Sequence, residues 1–453
     1  MTNQSFSEIT PQLVHLSELS KKSSYIDPEL YTKYDVKRGL RDLNGKGVLV
    51  GITEISEVNS TKIVDGKSVP CDGELYYRGY NVQDLIAELP DDCFFGFEEC
   101  TYLLLFGKLP NKQELGEFCE LLSNYRSLPQ NFVRDVIMKK PSKDMMNALA
   151  RGVLTLYSYD EVPDDTSEAN VLRQCLQLIS MFPLLSVYSY QTYRHYYNGE
   201  SLIIHPPKKE YSTAENILHC LRDDSKFTPL EAKLLDVALI LHMEHGGGNN
   251  STFTNVVIAS TGTDIYSTVS GSIGSMKGPR HGGANIKVAE MMDAVLEETG
   301  GYAADDKKIK AAVNKLMDGE LYDRTGLVYG FGHAVYTISD PRAEMLRARC
   351  LEVAKEKKMM TEFDFRQRFE RIALETMKER KGVALPTNVD YYSGFAYEML
   401  GIPRDLYTPL FVCSRMVGWV AHNIENKLYD GRIMRPATKY VGDNKEYTVM
   451  EER

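Results

Sequence analysis

Two hydrophobic patterns divide the chain. Between residues 47 and 80 apolar and polar side chains alternate, as in GVLVGITEIS, and short apolar runs flank Asp65-Gly66. Alternation turns one face of a strand inward, and Asp-Gly suits the centre of a tight hairpin turn. This stretch predicts a small β-element. From about residue 83 the spacing becomes helical. Met145, Leu149, Val153 and Leu156 recur at intervals of three and four, with Ser142 placed as the N-cap. Thr228-Pro229-Leu230-Glu231 reads as a capping box with proline at the first helical position. The helix it opens runs through LLDVALILHM to Gly246-Gly247-Gly248. Asp340-Pro341 and Thr408-Pro409 repeat the cap-then-proline signal before long helical segments. At the average helix length the chain holds roughly fifteen to twenty helices. The predicted class is all-α with a small N-terminal β-element, and the polar residues 1–45 form a helical arm or a loose lead-in.

Boundaries are weak. Gly300-Gly301 followed by DDKKIK marks one solvated break, and KERKG at 378–382 marks another. They bracket a polar, charged region that fits a smaller module inserted in a more apolar one. The apolar stretch Thr254–Met276 is studded with Ala259, Gly262, Ser270, Gly271 and Gly274. Small residues let helix backbones approach closely, either within one subunit or at a dimer interface.

Composition narrows the function. The chain has 453 residues, 43% of them hydrophobic and 26% charged, and a net charge of -10. Such a length buries a large core without disulfides or metal staples. The acidic balance argues against a nucleic-acid partner, which needs a basic footprint. The eight cysteines, at 71, 93, 100, 119, 175, 220, 350 and 413, include no C-x-x-C pair and read as reduced, mostly buried thiols. The first ten residues, MTNQSFSEIT, lack an apolar or Arg-rich targeting pattern, and no run approaches 18 apolar residues. A cytoplasmic protein with no membrane span is expected. Walker A, G-x-G-x-x-G, H-E-x-x-H and G-x-S-x-G patterns are all missing, which removes the commonest nucleotide, zinc-protease and serine-hydrolase readings.

The chemistry-bearing residues gather at glycine-rich breaks. His242 and His245 lie in HMEHGGGNNS, His281 in GPRHGGAN and His333 in GFGHAV. Glycine permits unusual backbone angles and close approach of a ligand. A metal site on His242, His245 and His281 is one reading, but no carboxylate or thiol stands at ligand spacing, and none is assigned. Acid–base chemistry on an anionic substrate is the other. A His near a helix N-terminus is disfavoured as the cation, so His281 would stay neutral and donate a hydrogen bond to a developing oxyanion. Asp390, after Pro386-Thr387-Asn388, is either an N-cap or a general base. Arg342 follows Asp340-Pro341, and Arg415 sits within PLFVCSRMVGWV. A buried Arg needs an anion, from the protein or from a substrate carboxylate held bidentately.

Taken in order, GELYYRGYNVQDL (residues 73–85), HGGGNN with STF, GPRHGGAN, GFGHAV with SDPR, NVDYYSG, FVCSR and MRPA resemble the citrate synthase family over most of the chain. The resemblance implies a homodimeric two-domain helical fold. Residues 1–281 and 388–453 would form a large domain, with a small domain of 282–387 closing over the cleft. It implies a citrate (Si)-synthase that condenses acetyl-CoA with oxaloacetate and water, with acetyl-CoA as co-substrate and no metal. His281, His333 and Asp390 would be catalytic. His245, Arg342, Phe411 and Arg415 would bind oxaloacetate, and Arg435 would reach the partner's site. Leu327, Val328, Tyr329, Gly330, Phe331, Gly332 and Ala334 would meet CoA. Lys277, Arg280 and Lys439 are candidates for its phosphates. Two departures stand out: Gly246 replaces a common Glu, and Tyr329 replaces a common Pro. A 2-methylcitrate synthase acting on propionyl-CoA is the near alternative, and a non-catalytic helical scaffold is the alternative of another class.

Overall fold

A computed structural model describes residues 7–42, 46–89, 95–279, 281–382, 385–428 and 431–452. The chain divides into two units, Met1–Ile52 with Arg435–Arg453, and Thr53–Met434.

In the first unit, the helical arm is realised as Pro11–Ser23. The Thr10 side chain accepts from Leu13 N, Pro11 opens the helix, and Lys21 and Lys22 occupy its last turn, where cations meet the negative end of the helix dipole. None of its residues is buried, and Leu13, Val14, Leu16 and Leu19 stay exposed. Lys439 lies 5.5 Å from the Tyr34 ring centroid.

The second unit opens with the β-element. Strand β1 (Ser56–Val64) pairs antiparallel with β2 (Lys67–Tyr77), and β3 (Tyr80–Asn81) adds a short edge. Asp65 and Gly66 both take positive φ, 51° and 74°, which a two-residue hairpin turn requires. The strand starts later than its alternation suggests, because residues 48–55 are not strand. Alternation specifies a face, but a strand also needs a partner. Ser56 pairs with Tyr77, and the chain then turns away at Arg78-Gly79.

Seventeen α-helices stand among the described residues, which makes the fold mostly helical. Two of them form its centre. Every residue from Tyr407 to Asn423 in the helix Tyr407–Leu428 is buried, including Trp419 and Arg415. The helix Glu168–Asn198 is long and apolar enough to cross a membrane, yet 83% of its apolar window is buried inside the protein. A helix apolar all round belongs in a core.

Capping explains most of the boundaries. Thr228 and Glu231 form the expected reciprocal box at the start of Pro229–His242. Asp340 caps Pro341–Glu356 as expected. Two expectations are corrected. The helix Met145–Leu156 is capped by Asp144, and Ser142 Oγ instead accepts from Asp144 N at 3.1 Å. The cap must adjoin the first turn, and that turn begins one residue after Asp144. Thr408 caps nothing, because a 3-10 turn, Arg404–Leu406, runs directly into the helix at Tyr407. Pro409 is then the third helical residue, where its missing N–H costs no bond. Thr408 Oγ1 donates to Gly282 O.

Packing within the chain accounts for one of the small residues after Thr254, Gly271, whereas Gly274 faces open space. The helices Asn250–Ala259 and Ile265–Lys277 meet with Ile258 lying where a side chain on Gly271 would sit. Asn255 Nδ2 donates across them to Ser272 Oγ at 3.1 Å.

Candidate active site

The helix Pro229–His242 ends on a histidine that binds its own last turn. His242 Nδ1 stands 2.7 Å from Ala238 O, so Nδ1 carries the proton and donates. The chain leaves the helix here, and Gly246 at φ 86° turns it toward Asn249, the cap of the next helix. This turn holds His245 almost fully buried. Its ring stands edge-on to His333 at 4.9 Å and to Tyr336 at 5.3 Å.

His333 lies on a loop whose backbone is laced to the segment before Asp390. Asn388 N donates to Gly330 O, Gly332 N donates to Pro386 O, and Asn388 Nδ2 donates to Gly332 O, at 2.7–2.9 Å. Gly330 and Gly332 both sit at φ 88°. A Cβ on Gly330 would also meet Tyr391 at 2.9 Å, so only glycine fits. His333 Nδ1 accepts from Val335 N and Tyr336 N at 3.0 and 3.1 Å. An acceptor nitrogen is unprotonated, so the ring proton sits on Nε2. Nε2 lies 3.4 Å from Arg342 Nη2. Both nitrogens are donors, and neither can accept from the other. An oxygen between them would satisfy both.

Asp340 fixes Arg342. One carboxylate oxygen accepts from Arg342 N and Nε at 3.1 and 2.9 Å. The other accepts from Nη2 at 2.8 Å and from Val389 N at 3.2 Å. The same carboxylate thus caps one helix, pairs with the arginine and holds the start of Val389–Met399. That helix removes the cap reading of Asp390, because its cap is Asn388, whose Oδ1 accepts from Asp390 N at 3.1 Å. Asp390 is released from capping and stands in the first turn.

Arg415 approaches from the core helix. Its Nε donates to His242 O at 2.7 Å, its guanidinium lies 4.8 Å from the Phe411 ring, and its buried Nη1 has no hydrogen-bond partner among the described residues. Phe411 packs edge-on against His242 at 4.5 Å. His281 sits in the turn before Ala284–Thr299, with Nε2 3.0 Å from Ser251 Oγ. That hydroxyl also accepts from Trp419 Nε1 at 3.1 Å.

Burial sets the protonation states. Desolvation, reinforced by Arg342, lowers His333 to about 4. Desolvation, then Arg415, lowers His281 to about 4. His245 is pushed well below its ordinary value by burial and Arg342. His281 is therefore neutral, as expected, but through burial and Arg415 rather than a helix dipole. Asp390 keeps part of its surface open, yet its carboxyl lies deep among protein atoms. Desolvation raises it to about 6 against the pull of Arg342. For Arg342, Asp340 outweighs desolvation and holds the guanidinium above its usual range. Arg415, without such a partner, is lowered by burial to about 10.

The remaining sequence candidates divide. Val328 and Gly330 are buried, Tyr329, Phe331 and Gly332 half-buried, and Leu327 and Ala334 exposed. Tyr329 OH donates to Asp323 at 2.6 Å. Lys277 is engaged with Asp144 at 2.7 Å. Arg280 lies outside the described residues. Arg435 is exposed and belongs to the other unit. Among the described residues no three His, Cys, Asp or Glu side chains converge as metal ligands. Tyr336, Ser251 and Trp419 escaped the sequence reading, and Asp340 was read only as a cap. The i, i+2 spacing of Asp340 and Arg342 was the one available signal.

A family model described as citrate synthase, C-terminal domain, matches residues 42–437. The citrate synthase of Haloferax volcanii is 34% identical over 92% of this chain and 99% of its own length. The 2-methylcitrate synthase of Shewanella oneidensis is 34% identical, over 81% of this chain and 88% of its own. Among solved structures, the citrate synthase of Thermotoga maritima matches with a TM-score of 0.70 and 31% identity, covering 92% of this chain and 99% of the other. A ternary complex of the Thermoplasma acidophilum citrate synthase with carboxymethyl coenzyme A and oxaloacetate matches with a TM-score of 0.74 and 27% identity, again over 92% and 99%. Sequence, fold and the reach of both along nearly the whole chain agree that it belongs to the citrate synthase family.

Proposed function

We propose that this enzyme makes citrate from acetyl-CoA, oxaloacetate and water, with the residues above in the following roles. Asp390 takes a proton from the methyl group of acetyl-CoA. His281 donates a hydrogen bond to the enolate oxygen. For that role Nε2 must accept from the Ser251 hydroxyl, whose single proton Asn249 Oδ1 also draws at 2.9 Å, so that the ring proton stays on Nδ1. The nucleophilic carbon then bonds to the ketone carbon of oxaloacetate, the ketone oxygen takes the proton from His333 Nε2, and the proton held on Asp390 makes good that loss through solvent as the site resets. Water attacks the citryl thioester, the C–S bond breaks and the thiol leaves as CoA. A thioester α-proton is weakly acidic, so base and oxygen-side donor must act together. Each positioned group contributes roughly 10²–10⁴-fold, and preorganised donors add to that.

The observation that carries this reading is the apposed donor pair, His333 Nε2 and Arg342 Nη2. One oxaloacetate oxygen satisfies both. His245, with its buried Nε2 unpartnered, and Arg415, with its unpartnered Nη1, supply further donors to the same dianion, and Phe411 packs beside it. The backbone from Leu327 to Ala334 receives CoA. We assign no metal, since enolisation and condensation have protein groups in hand. In this reading the segment 282–387 closes over 1–281 and 388–453 and excludes water before the enolate forms. The enzyme works as a cytoplasmic homodimer, with Arg435 completing the partner's site. The exposed apolar face of Pro11–Ser23 supports an assembly larger than one chain.

The test is thiol release with oxaloacetate, comparing acetyl-CoA with propionyl-CoA, with and without EDTA. Faster release with acetyl-CoA, unchanged by EDTA and matched by citrate formation, is expected. Preference for propionyl-CoA would turn the reading to 2-methylcitrate, a change of one methylene that a pocket discriminates by only about 1–3 kcal/mol. No release from folded protein would leave a non-catalytic role.

A pH profile tests the base. Asp390 accepts a proton only when ionised, so kcat/KM for acetyl-CoA is expected to fall as pH drops through about 6. His333 and His281, both lowered to about 4, stay neutral across that range and add no limb there. An acid limb centred near 4 would remove the desolvated carboxyl from the base role.

A further inference from the structure

Between His242 and His245 the turn carries a carboxylate that the mechanism above does not use. Glu244 has no exposed surface. Its Oε1 accepts from Ser56 Oγ at 3.0 Å and lies 3.2 Å from His422 Nε2, an ion pair whose N–H direction is off the bond line. Its Oε2 has no hydrogen-bond partner among the described residues and packs where a side chain on Gly418 would stand. The core helix therefore comes against this turn closely enough to seat His422, one turn beyond Gly418, beside the carboxylate. On its far side His422 Nδ1 lies 3.7 Å from Glu425, which is itself held by Thr53 Oγ1 and Glu54 N at 2.7 and 2.9 Å. Arg78 is the cation facing His422, and Arg415 is the one facing Glu244.

A buried carboxylate must be paired; His422 is in ion-pair contact with it, whereas the charge of Arg415 acts on it from beyond such contact. We propose that His422 is the resident counter-cation of Glu244, so that Arg415 on the same helix is left uncompensated and free for a substrate carboxylate. Arg415 fits that division, since its Nε is spent on His242 O while its buried Nη1 bonds to nothing among the described residues. The protonation of the pair agrees. Burial alone would lower His422, but Glu244 and then Glu425 outweigh it and hold the imidazole above its ordinary value. His422 is thus a positioning residue that acts through Glu244 on the charge of the site. The proposal rests on the reading that Arg415 binds oxaloacetate.

The experiment compares His422→Gln, Glu244→Gln, the double variant and Arg415→Gln, each checked for folding by thermal unfolding. In His422→Gln the bare carboxylate draws Arg415 away. The oxaloacetate KM is expected to rise about tenfold or more, the loss of a single charge-assisted contact, while kcat changes far less. Removing both charges is expected to restore the KM to near the parent value, although the double variant has lost both partners. Glu244→Gln alone is expected to leave the KM unchanged or lowered. A double variant as impaired as the single, or a raised KM in Glu244→Gln, would mean that the pair only holds the turn in place and would overturn the proposal. If His422→Gln does not fold, the Glu244→Gln and double variants still decide. NMR titration of the His422 ring separates the proposal from its premise, since the pKa is expected above the ordinary value in the parent and lower in Glu244→Gln. That drop, together with an unchanged KM in Arg415→Gln, would leave the ion pair standing while removing the substrate role of Arg415 and the proposal with it.

Discussion

Asp390→Asn is expected to lose turnover by about 10²–10⁴-fold, the range for a positioned general base, while still binding oxaloacetate. It is also expected to be more stable than the parent above pH 6. The sign follows from the raised carboxyl, which binds its proton more tightly when folded than unfolded. Ionising it opposes folding, so stability is lost as pH rises from the unfolded value near 4 through about 6. An amide carries no such penalty. The gap in unfolding temperature is expected to be full above pH 7 and to close below pH 4. Activity assays and thermal unfolding across that range check both halves. A variant that is inactive and less stable at every pH would mean that Asp390 serves the fold instead.

Arg342→Met is expected to reduce stability by about 3–5 kcal/mol, because it strips the partner from a buried carboxylate. Asp340 has no exposed side-chain surface, and its pairing with Arg342 uses both oxygens. Oxaloacetate binding should be lost with it. The control is the double variant Asp340→Asn with Arg342→Met, which no longer buries a bare charge. It should recover much of the denaturant midpoint and none of the oxaloacetate affinity. Equal midpoints for single and double variants would mean that the pair is not coupled.

Features set by neighbouring residues were legible in the sequence. The Asp65-Gly66 turn, the Thr228 box and the Asp340 cap each need only four or five residues to specify a backbone conformation, and all three appear as expected. Where several polar side chains crowd one boundary, the reading failed or stayed open. Ser142 and Asp144 compete for one cap, as do Asn388 and Asp390 for another, and the winner depends on where the first turn begins. That point is fixed by packing against distant helices. The strand beginning at Ser56 shows the same limit, since its partner decides its length. The site residues were mostly named through family resemblance. Their supporting partners carried no local signal: Trp419 reaches Ser251 across 168 positions of sequence, and Glu244 meets a histidine far along the chain.

The three hydrogen bonds between residues 330–332 and 386–388 bear on how catalysis is timed. They join the loop carrying His333 to the lead-in of the Asp390 helix and cross the 387/388 boundary proposed for closure, so a segment that moves with His333 is expected to carry Asp390 with it. The contact between His333 and His245 is only an edge-on ring pair, and His281 hangs from Ser251 and Trp419 on other elements. Under the proposed closure, the distance from Asp390 to His281 is therefore expected to change while the distance from Asp390 to His333 is kept. In the proposed mechanism half of the machinery is then preset, and the other half is assembled as the cleft shuts. An enolate would then be formed only with its electrophile already clamped beside the base.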